Sequence, residues 1–201
     1  MSVPGTAGLL LAAGAGRRMG RPKALVDDWL ERSVGVLRDG GCTPLTVVLG
    51  AAADQARARV PDGVAVVVAE DWASGMGASL AAGLAALAPT DAVAALVHLV
   101  DLPDVGPDVV TRVLAEPHGP DTLRRASYDG EAGHPVLLGR DHWDGVRAAA
   151  SGDRGARDYL RVRDVEQVEC GDLAGGLDVD TRVDTHADSR GDTNQEGTSP
   201  T

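Results

Sequence analysis

The residues best equipped for chemistry lie close together near the amino terminus. Residues 9–25 read Leu-Leu-Leu-Ala-Ala-Gly-Ala-Gly-Arg-Arg-Met-Gly-Arg-Pro-Lys-Ala-Leu. An apolar run opens into a loop with glycines at 14, 16 and 20 and cations at Arg17, Arg18, Arg21 and Lys23. Glycines let backbone N–H groups close on phosphate oxygens and the cations neutralise them, so the segment suits a polyphosphate. Two common phosphate loops do not fit. A dinucleotide fingerprint needs its third glycine at 19, where Met19 stands. A P-loop ends in Gly-Lys followed by a hydroxyl residue, whereas Arg21 and Pro22 separate Gly20 from Lys23 and Ala24 follows. Lys23 is the single lysine among 19 basic residues. Arginine serves everywhere else, and the two are not interchangeable at a compact phosphate contact.

Elements that position such a loop are readable from the hydrophobic pattern. Short Leu- and Val-rich runs (7–12, 45–50, 64–69 and 93–100) alternate with Ala-rich helical stretches (29–39, 52–59, 77–87 and 107–115). That is the βαβα order of a mostly parallel sheet, and near-continuous apolar runs predict strands covered on both faces. Residues 122–128 and 135–138 predict two strands around a Gly-rich turn, an antiparallel addition. Helical pieces at 141–150 and 156–160 and a strand at 165–170 follow. The expected fold is a single Rossmann-like three-layer α/β/α domain over residues 1–184. Residues 185–201, with no apolar periodicity, predict a disordered polar tail. Asp101 follows the fourth run directly. The carboxyl end of a central strand is where open α/β sheets bind ligands, and a carboxylate there suits Mg²⁺ (or Mn²⁺) held against phosphates.

The loop closely resembles the LxAGxGxRMGxPKxL signature of the MobA-like nucleotidyltransferases. Leu11, Ala13, Gly14, Gly16, Arg18, Met19, Gly20, Pro22, Lys23 and Leu25 carry the match. The likeness extends over roughly residues 6–184. Residues 71–83 resemble the family's W-x-x-G-M-x-x-S-L-x-x-G block through Trp72, Gly75, Met76, Ser79, Leu80 and Gly83. Asp101 with Pro103 resembles D-x-P, and Asp178-Val179-Asp180-Thr181 resembles the C-terminal [DN]-x-[DN]-T. Gly133-His134-Pro135 and Gly152-Asp153-Arg154-Gly155-Ala156-Arg157 are similar to blocks of the molybdenum cofactor cytidylyltransferase branch.

The resemblance implies a metal-dependent transfer of a nucleotidyl group from an NTP to a small phosphorylated acceptor. Ala12, Ala13, Gly14, Gly16, Arg18, Lys23, Gly75 and Ser79 are its implied nucleotide-binding residues, with Gly75 admitting a flat base. Lys23, Arg18 and Asp101 are the implied catalytic set, Asp101 and Asp180 the implied metal ligands, with Asp178 second to Asp180. His134, Asp153 and Arg157 face the acceptor. The Ala12-Ala13-Gly14 form points to CTP, and the two later blocks to molybdopterin. A guanylyltransferase for another phosphorylated acceptor, such as phospholactate, is the alternative enzyme. A non-catalytic nucleotide-binding accessory protein is the alternative of a different class. A molybdoenzyme or its chaperone is the implied transient partner. The chain departs from the family in a shortened 26–34 segment and in Arg182, where Pro is usual.

Composition narrows the field further. At 201 residues and 43% hydrophobic, the chain forms one domain with a sizeable core. With no Phe and 2% aromatics, that core rests on Ala, Val and Leu, and base recognition is expected from backbone around Ala12-Ala13 and the 75–79 block. Few rings and a net charge of -11 exclude a nucleic-acid platform. Six acids and two arginines in residues 178–201 account for -4 of that charge, so the body is acidic too. Cys42 and Cys170 have no metal or disulfide spacing, and no run approaches the ~18 apolar residues of a membrane span. A cytoplasmic protein without membrane contact is expected.

Overall fold

The computed structural model of the protein describes residues 5–179. They contain strands β1 (Thr6–Ala12), β2 (Leu45–Leu49), β3 (Ala65–Val68), β4 (Ala94–Leu99), β5 (Leu123–Tyr128), β6 (Glu131–Gly139) and β7 (Glu166–Glu169). These form one sheet in the order β3-β2-β1-β4-β6-β5-β7. Strands β1 to β4 are parallel; β6 runs antiparallel to both β4 and β5, and β7 returns parallel to β5. One face carries α1 (Trp29–Asp39), α2 (Ala53–Arg57) and α4 (Pro107–Leu114); the other carries α3 (Met76–Leu87), α5 (Trp143–Ala149) and α6 (Arg157–Leu160). The three-layer α/β/α architecture expected from the sequence is the one observed.

Every residue of β1 is buried, which explains its unbroken apolar run. Its side chains alternate between two cores. Leu10 and Ala12 pack with Leu30, Val34 and Leu37 of α1, while Leu9 and Leu11 pack with Leu80, Leu84 and Leu87 of α3. Each fully buried leucine contributes roughly 1.5–3 kcal/mol of transfer free energy, so aliphatic side chains sustain the domain without phenylalanine.

Three elements differ from the pattern reading. Strand β3 is not buried on both faces: it lies at the sheet edge, with Ala65 exposed and the next three residues half-buried. Strand β6 begins at Glu131, four residues before the expected Pro135. The hairpin turn is only Asp129-Gly130, with φ of 51° and 82°, the left-handed pair that a two-residue Asp-Gly turn supplies. Helix α2 is shorter than expected because Ala52, in the left-handed region, precedes it. The boundary expected at 184 and the tail beyond it lie outside the described residues.

His98 on β4, paired in register with Leu10, is fully buried, and among the described residues neither ring nitrogen has a hydrogen-bond partner. Burial, then the nearby charges of His134 and Arg32, push its pKa from 6.5 down to about 3. The folded protein therefore keeps it neutral, whereas the unfolded chain protonates it below about pH 6.5. Stability is complete above pH 6.5 and falls with acidification, by about 2 kcal/mol for this residue at pH 5. Urea unfolding at pH 7 and pH 5 should show that loss, and His98→Leu should flatten the pH dependence by a similar amount.

Candidate active site

At the carboxyl end of β1 the chain leaves the sheet beside β4, where the Val100 N–H donates to the Leu11 carbonyl (3.2 Å). Strands β2 and β3 lie on one side of this point and β6, β5 and β7 on the other. It is the topological switch point, where diverging connections leave a crevice. The loop from Gly14 to Lys23 folds across it and closes on itself, with the Lys23 N–H donating to the Gly14 carbonyl (3.1 Å). Gly16 has φ of 56°, and a Cβ there would lie 2.0 Å from the Arg21 carbonyl oxygen, so the turn requires glycine. Met19, buried, pins the loop into the core beneath α1.

The four loop cations separate into different tasks. Arg21 pairs with exposed Asp27 (2.9 Å). Arg17 lines the cleft, and Arg18 is exposed outside that lining. Lys23 turns inward and pairs with Asp101; both side chains are largely buried, at 18% and 10% exposure. The Asp101 carbonyl accepts from the Val179 N–H (3.0 Å), so the segment carrying exposed Asp178 returns to the same strand end. Asp180 lies outside the described residues.

The opposite wall is the start of α3. Gly75 has φ of 121°, and a Cβ on it would sit 2.3 Å from the Gly152 carbonyl carbon and 2.8 Å from the Asp153 nitrogen. The 152–154 turn therefore seats directly on Gly75. This revises the expected role of that glycine: what approaches it is protein backbone, which brings Asp153 into the cleft. Ser79, one turn into α3, is buried and lines the cleft, and the positive end of the helix opens on it.

Together these walls enclose about 370 Å³, lined by Ala13, Gly14, Gly16, Arg17, Lys23, Gly75, Ser79 and Asp101 among others. Ala12 is not among them; it packs in the α1-side core. A second compartment of about 140 Å³ adjoins it, sharing Leu11, Met76 and Asp153. His134 and Arg157 line this second space, so the three residues assigned to the acceptor share one compartment. Burial, followed by the charges of Arg125 and Arg157, pushes the His134 pKa down to about 4, leaving a neutral imidazole.

Trp72 and Arg125 escaped sequence reasoning. Trp72 lines the first compartment. It stands in the motif block already noted, but the scarcity of aromatics turned attention to backbone contacts. Arg125 lines the second compartment, and nothing local in its sequence marks it.

The fold and cleft define an α/β protein of the nucleotide-phosphate-binding kind. The profile of the MobA-like NTP transferase domain matches residues 8–169, and the chain belongs to that family. It is 38% identical over 194 residues to nicotine blue oxidoreductase of Paenarthrobacter nicotinovorans, covering 89% of this chain and 94% of that protein. Among solved structures it is similar to Rv0371c of Mycobacterium tuberculosis H37Rv, at 33% identity and a TM-score of 0.78, covering 92% and 96% of the two chains. A manganese complex of Rv0371c aligns at 31% identity and a TM-score of 0.72, over 90% and 95%. A nucleotidyl transferase of Methanothermobacter, at 18% identity and a TM-score of 0.74, shares the fold.

The two wall glycines separate folding from binding. Gly75→Ala places a side chain in a backbone region reserved for glycine and should cost at least about 2 kcal/mol. A Cβ at Gly14 would meet only the Lys23 Cδ, at an ordinary 3.7 Å. Gly14→Ala should unfold within about 0.5 kcal/mol of wild type. Thermal denaturation of the two variants checks both outcomes.

Proposed function

We propose that the protein transfers CMP from CTP to the phosphate of a small acceptor, molybdopterin by resemblance, and releases pyrophosphate. The observation that carries this reading is the buried Lys23–Asp101 pair on the cleft floor, beneath a glycine loop at the switch point. An acceptor phosphate oxygen attacks the α-phosphorus; the new P–O bond forms as the bond to the β-phosphate oxygen breaks. The acceptor phosphate is already anionic at neutral pH, so no general base is required. The Gly14–Gly20 backbone and Arg17 hold the departing β and γ phosphates, and Arg18, outside the cleft lining, would turn inward to join them. Lys23 places a compact ammonium between the α-phosphate and the incoming phosphate, where negative charge accumulates. Trp72 and Ser79, across from the loop, offer a ring face and a hydroxyl to the nucleoside.

The residues fit a divalent cation of the Mg²⁺ or Mn²⁺ kind. Such ions take one or two carboxylates and leave remaining positions to phosphate and water. Asp101 is buried at the floor, and the segment leading to Asp180 is tied to its carbonyl. Asp101 and Asp180 would hold the ion, which when bound offsets charge on the phosphates. The manganese complex of Rv0371c supports this choice.

Among the described residues no helix is long and apolar enough to cross a membrane; separately, two cysteines without metal or disulfide spacing support a cytoplasmic location. A molybdoenzyme or its chaperone would receive the product.

A second reading, oxidoreduction, is favoured by the 38% identity to nicotine blue oxidoreductase. It requires a hydride donor, such as a reduced nicotinamide dinucleotide, in the same cleft.

Incubation with a divalent metal, molybdopterin and each of the four NTPs in turn, with pyrophosphate as readout, tests the transfer. CTP should give the fastest release, and Lys23→Arg should lower kcat about 100-fold although the charge is kept. Near wild-type turnover in that variant would remove Lys23 from the reaction. NTP binding without turnover would instead mark an accessory protein. Oxidation of reduced nicotinamide with nicotine blue, without pyrophosphate release, would establish the second reading. Asp101→Asn should abolish metal-dependent turnover, which a titration with Mg²⁺ and Mn²⁺ measures.

A further inference from the structure

Strand β5 carries two adjacent arginines whose side chains leave opposite faces of the sheet. Arg124 points toward α4, and its needs are met there. Its guanidinium pairs with Glu166 (2.7 Å) and donates to the carbonyls of Val113 (2.9 Å) and Glu116 (3.1 Å). It ties β5 to β7 and α4 and is structural.

Arg125 points the other way, into the second compartment. Among the described residues it has no carboxylate partner, and an Nη donates to the Gly133 carbonyl (3.2 Å). Its Nε is buried with no acceptor. Burial, then repulsion from Arg157, pushes its pKa down, so its surroundings disfavour the charge it holds. A half-buried guanidinium beside a second arginine is a costly arrangement that an anion relieves. The neighbouring charges do not relieve it. Arg154 is paired with Asp158 (3.0 Å), His134 is neutral, and Asp153 sits where the two compartments meet. The rest of the compartment is apolar, built from Leu80, Val97, Val136, Leu138 and Leu160. Outward, Arg125 and Arg157 also line a surface groove continued by Arg161 and Arg163. The Arg163 guanidinium is stacked on the Tyr159 ring, 3.3 Å from its centroid. On an acidic protein this is a second positive patch, distinct from the glycine loop, and it steers anions toward the compartment.

We infer that the second compartment is an organic-anion site, in which Arg125 and Arg157 clamp an anionic group carried on a compact apolar body. A guanidinium fork binds a carboxylate or phosphate through paired N–H donors, and the apolar walls take the body of the molecule. Because the compartment opens on the reaction cleft, the occupant is the acceptor, and the arginine pair selects, over molybdopterin with its polar pterin, an acceptor that bears a second anionic group at the end far from the phosphate that reacts. That last identification rests on the transfer reading; the anion site itself does not.

The test uses the full chain and three simple probes: benzoate, benzyl alcohol and inorganic phosphate, titrated calorimetrically with and without saturating CTP. Benzoate should bind at least about tenfold more tightly than benzyl alcohol, the margin of a charge-assisted contact. It should also bind more tightly than inorganic phosphate, and CTP should not displace it. Arg125→Gln should lose at least about tenfold in benzoate affinity, with Arg125→Lys in between. Arg157→Gln, at an exposed position, should weaken benzoate binding without a folding risk. Benzoate binding no tighter than benzyl alcohol, displacement by CTP, or full affinity in a folded Arg125→Gln would each overturn the proposal. If benzoate binds through Arg125 but no acceptor releases pyrophosphate, the anion site stands and the transfer reading fails. If pyrophosphate is released but benzoate ignores Arg125, the reverse holds.

Discussion

The buried ion pair between Lys23 and Asp101 organises this molecule. Two opposite charges are held out of water at the carboxyl ends of adjacent parallel strands. Removing Lys23 would take the ammonium partner from the largely buried Asp101 carboxylate, the kind of loss that destabilises a buried ion pair. The pair also connects the two ends of the binding machinery. Lys23 closes the glycine loop through its backbone, and the Asp101 carbonyl anchors the segment that leads to the C-terminal acids. In the proposed transfer an anionic substrate would compete for the ammonium and a cation for the carboxylate, so this one contact would be exchanged by both ligands.

Around that pair the cleft is built from backbone geometry more than from bulky side chains. The loop turns at Gly16 because its own carbonyl at Arg21 occupies the place of a Cβ. The far wall forms because Gly75 admits the 152–154 turn. A core of Leu, Val and Ala lets helices approach the sheet closely, which is how a chain with 2% aromatics frames a cleft of this size.

The two compartments differ in their charged lining. The first is shallow in charge contrast, with Lys23 and Arg17 facing Asp101 and Asp153. The second sets three arginines against aliphatic walls; Arg154 is paired with Asp158, and the buried Arg125 Nε has no acceptor among the described residues. Arg125, whose buried Nε has no acceptor among the described residues, is the group on which the inferred anion site rests, whereas the neighbouring Arg124 braces the fold through Glu166 and the carbonyls of Val113 and Glu116.

The amino-acid sequence by itself determined the layered fold, the loop and the candidate residues Lys23, Asp101, Gly75, Ser79, His134, Asp153 and Arg157. Those follow from hydrophobic periodicity and from short motifs, where the physical requirement is local: a turn that needs glycine, a strand buried on both faces, a cation beside a phosphate. The start of β6 was legible too, in the Asp129-Gly130 dipeptide, but the later glycine in the hairpin obscured it. What tertiary structure alone decided is which partners those residues have. Periodicity cannot tell that β3 is an edge strand, because that depends on sheet order. It cannot tell that Arg21 is turned to Asp27 while Lys23 reaches Asp101, 78 residues away. Nor can it distinguish Arg124 from Arg125, identical in type and adjacent in sequence. Strand geometry sends them to opposite faces, and only the packing of α4 against one face and α6 against the other makes one a brace and the other a waiting cation.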